Sequence, residues 1–170
     1  MSPLETTFAY AVPVAAGLLL LAAALNDVAL RTIPNGASVA LVLTGAALRL
    51  QDGGIVVGLL LAAAVFGVAV LCWQRGWMGG DVKLLAATAL VVPPLQVGSL
   101  LMLTALSGGV LAVLYLILSR VVRVAPPGGR RRGPLARVLR AERWRICRGA
   151  PLPYGLAIAF GGITLLLAGS

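Results

Sequence analysis

Long apolar runs alternate with short polar breaks along the whole chain. The runs cover Phe8 to Leu25, Ala37 to Leu50, Ile55 to Trp73, Val82 to Val92, Val97 to Ser119 and Leu152 to Ala168. Segments of this length and apolarity are read as membrane helices, which need about 20 residues to cross the hydrocarbon core. The pattern predicts an all-α, polytopic membrane helix bundle of about six transmembrane helices, forming a single domain over residues 1–170. Pro13 falls in the early turns of the first run, where a membrane helix tolerates it. Asn26 to Asn35 and Gln74 to Gly80 are expected as polar breaks, and Gln51-Asp52-Gly53-Gly54 as a turn. The run after Asp81 is short: a helix to Val92 reaches only about 18 Å at 1.5 Å per residue. It either continues kinked through Pro93-Pro94, leaves Asp81 below the lipid surface, or is partly re-entrant.

Charge adds a direction. The net charge is +9, and of the 14 basic residues 10 lie between Arg120 and Arg148. A single basic loop at 120–150 is the mark of a cytoplasmic connection and not of nucleic-acid binding. Counting spans from that loop places Asn26–Asn35 and Gln74–Asp81 on the same cytoplasmic side, with Arg31, Arg75 and Lys83 in keeping. Arg49, beside Asp52, is the exception. No Lys or Arg precedes the first run, so a retained first helix and an outside N-terminus are expected in place of a signal peptide.

Composition then removes most chemistries. The chain has no histidine, two distant cysteines (Cys72 and Cys147) and one lysine, Lys83. Ser–His and Cys–His dyads and HExxH zinc sites are excluded, and a cysteine metal or redox site is unsupported. No cofactor and no metal are expected. The acids number five, and Asp27 and Asp81 stand beside apolar runs in breaks assigned to one membrane face. Carboxylates there are costly to keep and mark function. Two close carboxylates resist double ionisation and share a proton, the arrangement by which aspartic peptidases activate water. Asp81 opens a helix and Asp27 follows one, so the helix dipoles favour Asp81 as the ionised base and Asp27 as the protonated partner. Each also has a plain reading: Asp27 as a loop residue paired with Arg31, Asp81 as a helix N-cap.

The residues around both aspartates resemble a known family. Asp27 to Asn35, reading D-x-x-x-R-x-I-P-N, is similar to the first catalytic motif of type IV prepilin leader peptidases. Gly79-Gly80-Asp81-Val82-Lys83-Leu84 resembles the second, the GxGD motif of membrane aspartic peptidases, with Met78 where the strict motif has its first glycine. Pro153-Tyr154-Gly155-Leu156-Ala157-Ile158-Ala159 resembles the stretch that opens the family's last helix. The resemblance implies a bacterial inner-membrane endopeptidase of the short, peptidase-only form that serves tight-adherence (Flp) pili or a related pseudopilus. It implies Asp27 and Asp81 as the catalytic pair, and a prepilin or pseudopilin with an apolar N-terminal helix as the partner within the bilayer. N-methylation is not expected, since no CxxC is present.

The supporting residues have structural readings as well. Pro34 and Gly36 suit a turn and a helix start, and Asn35 a cap. Gly79 and Gly80 allow close backbone approach. Pro153 suits a first helical turn, Tyr154 an interface, and Gly155 close packing. Arg31 and Lys83 either orient substrate and dyad or anchor helix ends. Two other functions fit the same pattern: a pilus-assembly scaffold that kept the fold with an impaired site, and a small transporter relaying protons through the aspartates.

Overall fold

The computed structural model describes residues 3–75, 81–121, 138, 142–146 and 152–169, and of residues 3–10 the helix alone. Each of the six apolar runs is a helix: α1 (Pro3–Leu30), α2 (Asn35–Gln51), α3 (Ile55–Gln74), α4 (Val82–Val91), α5 (Val97–Val121) and α6 (Tyr154–Ala168). Among the described residues the structure is all-helical. Residues 142–146 add a short helical stretch inside the basic loop. Among the described residues three segments are long and apolar enough to cross a membrane, Ala11–Leu30, Ile55–Gln74 and Pro94–Val121. The chain is a membrane protein, and α2, α4 and α6 fall short of that length.

α4 is the centre of the bundle. Of its 10 residues all but Lys83 are buried, packed by α2 and α3 on one side and α6 on the other, while α6 also lies against α1 and α5. Lipid tails are as apolar as leucine, so close packing holds such helices together in place of hydrophobic transfer. Gly45 illustrates this: a Cβ there meets the Leu90 carbonyl carbon and the Val91 nitrogen at 3.0 Å, so α2 touches the backbone of α4. Large apolar side chains point outward on α1, α3 and α5, among them Leu18, Leu60, Val68, Met102 and Val110.

Two boundaries differ from the sequence pattern. α1 does not stop at Leu25 but runs to Leu30, which takes Asn26 and Asp27 out of the expected polar break and into the helix. The Arg31 N–H donates to the Asp27 carbonyl at 2.8 Å and closes that last turn with Arg31 at φ 57°. α4 does not continue through the prolines. It ends at Val91, Val92 is extended (ψ 143°), and Pro94–Gln96 forms a 3-10 turn leading into α5. Pro93 and Pro94 have no N–H to offer the carbonyls of the preceding turn. One open carbonyl, that of Val91, accepts from Arg49 Nη2 at 3.2 Å. Arg49 is buried and ion-paired to Asp52, so the basic residue on the unexpected side caps the short central helix.

Candidate active site

Several of the predicted residues lie at the end of α1 and at the starts of α4 and α6. Asp27 sits in the last turn of α1 and is 5% exposed. Its Oδ2 accepts the backbone N–H of Gly155 at 2.9 Å. Gly155 is the second residue of α6, and the N–H groups of a first turn have no partner within their own helix. A Cβ on Gly155 lies 2.9 Å from Asp27 Oδ2 and 3.2 Å from Asp27 Cβ. Glycine is required there because the carboxylate and the α6 backbone touch. Pro153 is fully buried immediately before α6, and the Tyr154 ring packs over Gly108 of α5.

Asp81 forms the turn ahead of α4. Its carbonyl accepts the Leu85 N–H at 2.9 Å, which starts the helix, but its side chain makes no capping hydrogen bond. Burial and the charge of Asp27 push the Asp81 carboxyl up to about 6 from its ordinary 3.8, against an opposing pull from Arg31. The two aspartates are therefore near enough for one charge to act on the other. The sequence pattern favours Asp81, by its helix dipole, as the ionised base and Asp27 as the protonated partner. Asp81 makes no capping hydrogen bond, and Asp27 faces the N-terminus of α6 as well as the end of its own helix. That second helix is remote in sequence, so its N–H could not be read from the local dipole.

Asn35 is not a cap. Pro34 holds the N-cap position of α2 (φ −61°), with its carbonyl accepting from the Ala37 N–H at 3.1 Å. The Asn35 side-chain oxygen instead accepts from Lys83 Nζ, tying the start of α4 to the start of α2. Gly36 is exposed with open space around it. Gly79, Gly80 and Met78 lie outside the described residues.

Arg31 belongs to a polar cluster that the sequence pattern did not single out. Its guanidinium is ion-paired to Glu142 at 2.9 Å, and Tyr115 and Arg145 bond the same carboxylate. Burial alone would raise Glu142, but hydrogen bonds from Arg145 and Tyr115 and the Arg31 cation hold it below its ordinary value. Glu142 was legible as one of only five acids; its place in a basic loop hid it. Among the described residues no three His, Cys, Asp or Glu side chains cluster as a metal site.

The site thus sets a buried Asp27 and a half-buried Asp81 within reach of each other's charge, with the Arg31 cation acting on both. No curated protein and no solved structure matches the chain. A family model does, over residues 14–117, which include both aspartates but neither Glu142 nor Gly155. With that match over more than half its length, the chain belongs to the type IV leader peptidase family.

Proposed function

We propose that this protein is a membrane aspartic endopeptidase that removes the leader of type IV prepilin-like substrates at the cytoplasmic face of the bacterial inner membrane. The observation that carries the reading is Asp27, fixed by the Gly155 N–H, near enough to Asp81 for its charge to act there. Family membership supports peptide hydrolysis. The basic loop at 120–150, the expectation of about six crossings and the absence of any CxxC support a cytoplasmic site without N-methylation.

In this mechanism Asp27 is the base. A carboxylate oxygen held by a backbone N–H at a helix N-terminus suits the negative state. Asp81 carries the proton. The substrate's scissile carbonyl lies between them. Water attacks the carbonyl carbon as Asp27 takes one water proton, and Asp81 gives its proton to the carbonyl oxygen, forming a neutral gem-diol. Asp27 then passes its proton to the amide nitrogen, the C–N bond breaks, and Asp81 recovers a proton from a gem-diol hydroxyl. Acid–base groups of this kind contribute about 100- to 10,000-fold in rate. The substrate's apolar helix lies against the outward apolar faces of the bundle, with its leader reaching the aspartates.

Co-expression with a prepilin tests the reading. Wild type converts it to the shorter form, and Asp27→Asn and Asp81→Asn do not. Processing that survives both substitutions supports a scaffold in place of a peptidase. Uptake that collapses with the proton gradient supports a transporter.

A further inference from the structure

The one acid in the described part of the basic loop faces the end of α1. Glu142 Oε2 accepts from Arg31 Nη2 and from the Tyr115 hydroxyl, both at 2.9 Å. Oε1 accepts from Arg145 Nη1 at 2.7 Å and from Arg31 Nη2 at 3.1 Å. Arg145 in turn donates to the carbonyls of Val28 at 3.0 Å and Ala29 at 3.3 Å. These belong to the last turn of α1, whose carbonyls have no partner within the helix. The Arg31 guanidinium stands 5.9 Å from the Tyr115 ring centroid. The side chains of Arg31 and Glu142 are 18% and 12% exposed, so this is a mostly buried knot of ions and not a loose surface pair, which would count for little.

The knot sits four residues from Asp27. Arg31 is the residue that closes α1, in a left-handed conformation uncommon for a side chain with a Cβ. Its charge acts on both aspartates. Among the described residues, the charged and titratable groups around the pair are Asp27 and Arg31 from α1, Asp81 ahead of α4, Tyr115 from α5, and Glu142 and Arg145 from the loop. Lys83 on α4 is engaged by Asn35, and the Tyr154 ring of α6 packs over Gly108.

We infer that Glu142 and Arg145 are positioning residues that hold the Arg31 guanidinium beside the two aspartates, which makes residues 142–146 a working part of the active site. The catalytic consequence rests on the peptidase reading; the positioning itself does not. An arginine released from Glu142 follows its long stem into water. One held by a carboxylate that is itself bonded to Tyr115 and Arg145 has a single place to be. These two loop residues lie beyond the stretch that matches the family model, 14–117, so the family's shared segment is completed here by a part of the chain outside it.

The test reads Asp81 directly, because the Arg31 charge acts on it. The purified full chain is titrated by infrared spectroscopy, and the Asp81 carboxyl band is isolated by subtracting the D81N spectrum. Wild type gives a midpoint near 6. Glu142→Ala and Arg31→Ala each move it upward by a similar amount, and the double variant moves it no further. Glu142→Gln gives a smaller shift in the same direction and carries the test if the alanine variant does not accumulate. An unchanged midpoint in both Glu142 variants while Arg31→Ala moves it, or shifts that add in the double variant, overturns the inference. In parallel, kcat for a co-expressed prepilin falls by up to about 100-fold in Glu142→Ala, as misplacement of a site group allows. Aspartate-dependent cleavage with an unmoved Asp81 midpoint sinks the positioning role alone. Non-additive infrared shifts without any prepilin cleavage sink the peptidase reading alone.

Discussion

The Gly155 backbone N–H donates to the Asp27 carboxylate at 2.9 Å across 128 residues of sequence. One contact supplies the open end of α6 with an acceptor and gives Asp27 a fixed orientation. It also sets a steric limit, since the glycine has no room for a methyl group.

Gly155→Ala is therefore expected to damage both stability and activity. The added Cβ meets Asp27 Oδ2 at 2.9 Å, and overpacking of this kind costs about 1–3 kcal/mol. Thermal unfolding in detergent reads the first effect as a lower Tm, and prepilin cleavage the second. An alanine variant with wild-type Tm and wild-type processing contradicts the contact.

Asp27→Asn and Asp81→Asn each lower cleavage by about 100-fold or more, and the double variant is little worse than either single one, because the pair acts as a unit. Single-turnover cleavage of a purified prepilin measures this. Losses that multiply in the double variant speak against a shared task.

The pH dependence follows from Asp81. Its carboxyl titrates at about 6 when folded against an ordinary 3.8. With Asp81 as the proton donor, kcat is highest below that midpoint and falls as pH rises through it. Stability shows the same sense: between the two values the folded state binds a proton that the unfolded chain has released, so the Asp81 contribution declines as pH rises across that window. Asp81→Asn removes this decline, and its Tm relative to wild type increases between pH 4 and pH 7. A Tm difference that is flat across that range refutes the assignment.

Arg49→Met should lower stability while leaving the aspartates untouched. The substitution leaves Asp52 without its ion pair and the Val91 carbonyl without its donor. Loss of a hydrogen bond from a charged group costs about 1.5–3 kcal/mol. The expected result is a reduced Tm with an unaltered infrared midpoint for Asp81.

The proposed six-crossing topology puts the Asp52 turn and the basic loop on opposite faces. Cysteine introduced at Gly53 should be labelled by an impermeant reagent from outside the cell, and cysteine at Gly129 only after lysis. Labelling of both from one side contradicts the topology.

Hydropathy alone located all six helices, because an apolar run in lipid has no other way to satisfy its backbone. The scarcity of acids singled out Asp27 and Asp81, and the lack of histidine and paired cysteines left carboxylate chemistry standing. Those inferences depend only on residue type and spacing. Helix ends were less legible. α1 outran its apolar stretch by five residues, Leu25 to Leu30, because its last carbonyls find donors in Arg31 and Arg145, and the second of these donors is remote in sequence.

The surroundings of each aspartate were decided in three dimensions. Local dipoles favoured an ionised Asp81, yet the Gly155 N–H reaches Asp27 from a remote helix, while burial and the charge of Asp27 raise Asp81. Glu142 passed unnoticed for the same reason: a carboxylate among arginines reads as loop until folding shows which arginine it binds. Composition specifies which groups are present and which solvent they must endure. Electrostatics and hydrogen bonding depend on distances of a few ångströms between segments far apart along the chain, and only the packing of the helices sets those.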